Sequence, residues 1–313
     1  MGTIIEQRVA VHSSSEGEAV CREVSALITQ LEQKMSYFIP GSFLSRLNSS
    51  GGEVAVKMDP DTFRVLKSAG EFHELSGGAF DITVAPLTAL WRECISRKSL
   101  PSGNAIQELL PAVSGAGIAL DEKNGLARLG RRQSVDLGGI GKGYAADMAL
   151  NVYKDHGVTS AFINLGGNVH TLGKKINGEP WMIGLQSPRS TRGECIAALS
   201  ISDRSAVTSG DYEKYFEHEG GRFHHIVDPK TGWPADSDLM SATVLSASSM
   251  EADALSTAVF VSGLDRGMKL IERFPGVEGV VITKEQTVFL TKGLQDCFVA
   301  QQDVPGYTFA FYK

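Results

Sequence analysis

Apolar residues at Val20, Val24, Leu27, Ile28 and Leu31 recur at helical spacing through Glu16 to Lys34, and Thr3 to Val11 ahead of them has strand character. The pattern predicts a strand that leads directly into a helix. A second helix is bounded by Asp59 as N-cap with Pro60 in its first turn, and by Gly77 and Gly78 beyond its end. Within Ile118 to Arg128, the Asn124-Gly125 pair predicts a hairpin. Beyond it the apolar runs shorten, and strands are expected at Val135 to Leu137, Ala161 to Asn164, Met182 to Leu185, Ile196 to Ile201, Phe223 to Val227 and Ala242 to Leu245. Helices are expected at Gly143 to His156, Ser249 to Phe260 and Leu264 to Phe274. Most of these strands follow one another with no helix between. That order predicts an α+β fold of mixed, largely antiparallel sheets with packed helices, not a doubly wound parallel sheet. No repeat or long linker divides residues 1–313, which read as a single catalytic unit with room for two α+β lobes.

Composition narrows the field. The 313 residues are 42% hydrophobic and 21% charged, the balance of an ordinary globular protein. A net charge of -6, with no run of Lys or Arg, argues against a nucleic-acid surface. An anionic ligand would have to be held locally, by backbone amides, a helix N-terminus or a bound cation. Cys21, Cys94, Cys195 and Cys297 form no CxxC pair, so neither a zinc site nor a disulfide framework is expected. No run approaches the ~18 apolar residues of a membrane span, and no export signal is evident, so the chain as given is expected in the cytoplasm.

Five segments carry candidate chemistry. Val135-Asp-Leu-Gly-Gly-Ile-Gly-Lys-Gly-Tyr-Ala-Ala-Asp147 runs through a glycine-rich turn into a helix, an arrangement that suits an anion and suits a tight structural turn equally well. It is neither a P-loop, since Gly143 follows Lys142, nor GxGxxG, since Tyr144 fills the last glycine position. Ile163-Asn-Leu-Gly-Gly-Asn168 ends an apolar strand on a glycine pair. In Glu251-Ala-Asp-Ala-Leu-Ser-Thr257, Asp253 and Thr257 lie four apart on one helix face, a hard oxygen pair of the kind magnesium prefers. In Phe223-His-His-Ile-Val-Asp-Pro-Lys-Thr-Gly-Trp-Pro234, adjacent histidines point to opposite faces, so His225 can face a site and take a proton near neutral pH. Asp81, among apolar residues after Gly77-Gly78, needs a partner: backbone amides or the polar edge of a heterocycle.

These segments in this order resemble the FAD:protein FMN transferase family, also called the ApbE family. The blocks are Met1-Gly-Thr3, Ser42 to Asn48, Gly78 to Trp91, Asp136 to Asp147, Asn164 to Asn168, Thr208 to Tyr212, His225 to Pro234 and Glu251 to Thr257. The resemblance implies an ApbE-like, T-fold-related α+β architecture, FAD as substrate, Mg²⁺ as cofactor and AMP as leaving product. It implies metal ligation by Asp253, Thr257 and the Gly139 carbonyl, and FAD contacts at Met1, Phe38, Ala79, Phe80, Asp81, Asp136, Lys142 and Val227. Phe38 stands where several relatives carry Tyr, which keeps a stacking ring and loses a hydroxyl; Ser256 stands where some carry a second acid. The expected reaction moves FMN onto a Ser or Thr hydroxyl of a target protein, such as a flavoprotein subunit of a redox complex, with His225 as candidate base. The alternatives are an FAD pyrophosphatase, in which water attacks, and a flavin carrier without chemistry. Family resemblance also places such a protein in the bacterial cell envelope if a leader is removed.

Overall fold

The computed structural model describes residues 3–191, 193–301 and 305–313. Its helices are α1 (Ser14–Met35), α2 (Phe43–Ser49), α3 (Pro60–Leu75), α4 (Ala85–Arg97), α5 (Ala105–Leu109), α6 (Gly141–Asp155), α7 (Ser249–Ser262) and α8 (Leu264–Ile271). The first strands are β1 (Ile5–Val9), β2 (Val56–Lys57), β3 (Ala119–Asp121), β4 (Leu126–Arg128), β5 (Ala161–Leu165), β6 (Asn168–Leu172), β7 (Trp181–Gln186) and β8 (Cys195–Ile201). The remainder are β9 (Ser205–Gly210), β10 (Tyr215–His218), β11 (Gly221–His224), β12 (Leu239–Ser246), β13 (Glu278–Thr283), β14 (Thr287–Leu290), β15 (Phe298–Ala300) and β16 (Thr308–Phe311). The class is α+β with largely antiparallel sheets, as the order of the apolar runs predicts.

The chain forms two units, each built from separated segments. The first comprises Met1–Thr29, Lys142–Gly210 and Asp238–Lys313; the second comprises Gln30–Gly141 and Asp211–Ser237.

In the first unit an eight-stranded sheet has the order β1-β5-β6-β9-β12-β13-β14-β16. Its neighbours are antiparallel except β14 and β16, which are parallel. A three-stranded sheet, β15-β8-β7, shares a core with it: Ile196 and Leu199 of β8 cluster with Val280 and Ile282 of β13. Helix α7 packs on β9 and β12, and every residue of β12 is buried. Because α7 is enclosed nearly all round, its stretch Ala252 to Ser256 is buried without interruption, including the carboxylate of Asp253. A charge in that position needs specific partners.

In the second unit the core gathers around Trp91 of α4, which is fully buried with Leu87, Ile106, Phe216 and Val227. Its indole lies parallel to Phe223 at 6.0 Å and donates to the Gly232 carbonyl at 2.8 Å. Asp59 caps α3 by accepting the N–H groups of Asp61 and Thr62, with Pro60 in the first turn, as the sequence pattern predicts. The Asn124-Gly125 hairpin forms between β3 and β4.

Two expected strands differ. Val135 to Leu137 is extended but is no strand, because its backbone pairs with a side chain: Asn48 donates to Val135 O at 2.9 Å and accepts Val135 N–H at 2.8 Å. The strand expected over Phe223 to Val227 ends at His224, beyond which Val227 makes only an isolated bridge to Pro234. The Asp228-Pro229 turn folds the chain back there, and Gly232 N–H reaches Asp228 O at 2.8 Å.

Candidate functional site

The glycine-rich turn begins α6 in the way the sequence suggests: Leu137 O accepts the N–H groups of both Ile140 and Gly141, at 3.1 and 2.7 Å. The anion at this helix N-terminus is one of the chain's own. Asp253 Oδ2 accepts Gly143 N–H at 2.9 Å, and Oδ1 lies 3.3 Å from Lys142 Nζ. A helix N-terminus and an ammonium together meet the need of a carboxylate that is 3% exposed. Gly143 is required by proximity, since a Cβ there would lie 2.2 Å from Ser249 O.

A second carboxylate ties the same two helices. Asp147, one turn further along α6, accepts Ser249 N–H at 2.6 Å, Met250 N–H at 3.0 Å and Ser248 Oγ–H at 2.8 Å. It caps the first turn of α7 from another element, while Ser248 caps it locally through Glu251 N–H. His170 of β6 stands 3.3 Å from Asp147. Nothing in the spacing of Asp147 announced this role, because its partners lie more than one hundred residues away.

Asp253 and Thr257 come together one turn apart, as their spacing predicts. Thr257 Oγ1 is 3.4 Å from Asp253 O and 3.3 Å from Ser209 Oγ of β9. Ser256 is buried and bonded to Asp253 O and to Ser209, so the position brings no second charge. The donors here are a carboxylate and hydroxyls, and no cluster of three His, Cys, Asp or Glu exists among the described residues. That oxygen set fits a hard cation that draws its remaining ligands from backbone, water or substrate, and does not fit zinc.

The second unit holds the remaining expected residues. Asp81 takes the first of the two partner types weighed for it: its carboxylate accepts Thr83 N–H at 2.7 Å, Thr83 Oγ1–H at 2.6 Å and Gly115 N–H at 2.9 Å, and lies 3.3 Å from His73 Nδ1. Burial alone would raise its carboxyl pKa, but the bonds from His73 and Thr83 outweigh burial and hold it below the ordinary value. The bond to Asp81 correspondingly pushes His73 up, against burial. The side chains of Ala79, Phe80, Asp81 and Val227 are all buried, which leaves backbone groups as what they offer a ligand.

Asp136 is more open, accepting Gly138 N–H at 2.8 Å and Thr88 Oγ1–H at 3.2 Å. Arg92 lies 3.9 Å from it and stacks over exposed Phe38 at 4.5 Å. Gly139 lies in the half-buried turn ahead of α6. Met1 falls outside the described residues.

Of the paired histidines, His224 is committed to structure, with Nε2 3.2 Å from Ala235 O and Nδ1 accepting Ile226 N–H at 3.3 Å. His225 is half-buried, and its backbone N–H donates to Lys214 O at 3.1 Å. Sequence reasoning missed Asp147, Ser209, Thr88 and Arg92. The last two, four residues apart on α4, carried the one available signal, a shared helix face.

Comparison with known proteins places this geometry in context. A family model described as the ApbE family matches residues 1–281. An FAD:protein FMN transferase of Treponema pallidum is 33% identical over 95% of this chain and 86% of its own length. One of Klebsiella pneumoniae is 33% identical over 88% of this chain and 86% of its own length. Among solved structures, an ApbE protein of Thermotoga maritima superposes with a TM-score of 0.82 at 31% identity, covering 93% of this chain and 94% of the other. The flavin transferase ApbE of Vibrio cholerae gives a TM-score of 0.82 at 26% identity, with 95% and 96% covered.

Proposed function

This chain belongs to the ApbE family and is a transferase of the FAD:protein FMN type, and on that premise we propose that it uses magnesium to transfer FMN from FAD to a Ser or Thr hydroxyl, releasing AMP. The observation that supports the metal part is the pair on α7: Asp253 is a buried ionisable group inside a largely enclosed helix, with half-buried Thr257 one turn on. Its carboxylate is already fixed by Gly143 N–H and Lys142, so it is aimed before any ligand arrives.

Asp253 and Thr257 would hold Mg²⁺, and the ion when bound would supply neutralising charge to the pyrophosphate. Lys142 can turn part of its charge from Asp253 toward a phosphate oxygen. The acceptor hydroxyl attacks the phosphorus on the riboflavin side, a new P–O bond forms, and the P–O bond to the AMP phosphate breaks. The hydroxyl proton passes to a base, the role assigned to His225. His224, by contrast, spends both ring nitrogens on backbone. The acceptor is a flavoprotein target presenting that hydroxyl.

The test is AMP release from FAD with Mg²⁺ or EDTA, with and without a protein carrying an FMN-acceptor domain, alongside Asp253→Ala. Magnesium-dependent AMP together with flavin covalently on the acceptor, both lost in Asp253→Ala, is the expected result. AMP with FMN left free in every condition would make the enzyme a hydrolase, and bound FAD without AMP would make it a carrier.

A further inference from the structure

Phe38 is an unusual phenylalanine. It is 61% exposed, against 3% for Phe80 and 0% for Phe260, and more exposed than Trp233 at 43%. Two neighbours hold its ring in place nonetheless. The Tyr37 ring lies 4.0 Å from it, tilted by 31°. The Arg92 guanidinium is centred 4.5 Å from the Phe38 ring and 5.7 Å from that of Tyr37. A guanidinium stacked on an aromatic ring keeps its in-plane donors available to a planar, acceptor-bearing partner.

The polar end of this group is loosely held. Tyr37 Oη is buried, and Arg92 and Thr88 reach it only with geometry too poor for a well-formed hydrogen bond. Burial first, then the charge of nearby Asp136, pushes its hydroxyl pKa up, against the bonds of Arg92 and Thr88 and the Arg92 charge, which lower it. Thr88 and Asp136 beside it are already bonded to each other at 3.2 Å. A buried hydroxyl that Arg92 and Thr88 hold only weakly is available to a better-placed partner. An exposed stacking ring, a guanidinium fork and a waiting hydroxyl are what a flat heteroaromatic ring with hydrogen-bonding edges requires.

We propose that Tyr37 and Arg92 are substrate-binding residues that, with Phe38, seat a flat ring of FAD, Tyr37 supplying beside the ring the hydroxyl that Phe38 lacks. The inference rests on FAD as the substrate, and it adds two residues that the family resemblance does not assign. FAD carries two such rings, isoalloxazine and adenine, with the same stacking chemistry.

Equilibrium binding in EDTA, where no transfer proceeds, separates them: riboflavin is followed by its fluorescence and AMP by calorimetry, for the wild type, Arg92→Ala, Arg92→Lys and Tyr37→Phe. Arg92→Ala is expected to weaken one of the two probes by about tenfold and leave the other unchanged, with Arg92→Lys weakened less. Tyr37→Phe weakens the same probe several-fold. Loss confined to riboflavin seats the isoalloxazine; loss confined to AMP seats the adenine. In FMN transfer, the KM for FAD rises while kcat holds. A wild-type protein that binds FAD, with all three variants binding both probes normally, overturns this inference alone. So does equal loss of both probes accompanied by a lowered melting temperature. Failure of the wild type to bind FAD at all overturns the proposed function and this inference together.

Discussion

Asp253 reaches from the middle of α7 to the first turn of α6, where its Oδ2 accepts Gly143 N–H at 2.9 Å. The acid expected to hold a metal is therefore also the anion that completes a helix N-terminus. A substitution there acts on chemistry and on architecture, and two variants separate the effects. Asp253→Asn keeps an acceptor for Gly143 and loses the charge, so FMN transfer should fall on the order of 100-fold or more while the melting temperature changes little. Asp253→Ala should lose both. Transfer that survives in Asp253→Asn would remove the carboxylate from the reaction.

Gly143→Ala tests the closeness of that junction. The added methyl would lie 2.2 Å from Ser249 O, a backbone atom that cannot swing aside. The expected cost is about 1–3 kcal/mol of stability, read from urea midpoints. Transfer should fall as well, because Asp253 moves with the junction.

Asp147 holds the same interface from its other side. Asp147→Ala removes the acceptor of Ser249 and Met250 N–H, and should lower stability by about 1–2 kcal/mol, the range for loss of a helix N-cap. Ser248 still caps α7 locally, so the helix is retained in the far-ultraviolet spectrum.

The neighbouring histidines should behave oppositely. His224→Asn unpairs the Ala235 and Ile226 backbone groups and should lower the melting point. His225→Asn should slow transfer by roughly 100-fold to 10,000-fold, the range for loss of a general base, beyond any change in the melting point. If His225→Asn retains full activity across the pH profile, the base lies elsewhere.

The His73 and Asp81 pair gives a stability window. The raised pKa of His73 means its contribution is complete below the ordinary 6.5 and is lost as pH rises through the folded value. The lowered pKa of Asp81 means its contribution is present above the ordinary 3.8 and is lost as pH falls through the folded value. Both contribute fully between those limits. The urea midpoint of His73→Gln should therefore fall further below wild type at about pH 5 than at about pH 8. A deficit that is the same at both pH values would show that the pair acts only through packing.

Local sequence made α7 and its Asp253-Thr257 face legible, because helical spacing alone aligns residues four apart. It made the Gly-rich entry to α6 legible for a similar reason. It could not show that the entry's first bonded anion is Asp253, since 110 residues separate Gly143 from it. The Val135 segment misled because its apolar pattern suits a strand, while a distant side chain, Asn48, satisfies its backbone. Strand β9 was missed because Ser205 to Gly210 lacks an alternating apolar face; its serines point to α7, where Ser205 bonds Ser249 and Ser209 bonds Ser256. Strand alternation singled out His225 as the candidate base, but it could not show that His224 bonds the backbone of Ala235 and Ile226.

The segmented layout of the two units sets an order of events during synthesis. Strand β1 lies at residues 5–9 and must wait for β5 at 161–165 before it has any neighbour in its sheet. The opposite edge, β16, is translated last, at residues 308–311. The second unit, by contrast, has its whole complement of residues once Ser237 is made, before α7 exists. Domains fold as units as their residues emerge, so the nascent chain completes the unit carrying Asp81 and His225 first. The acid on α7 is made only after every residue of that unit.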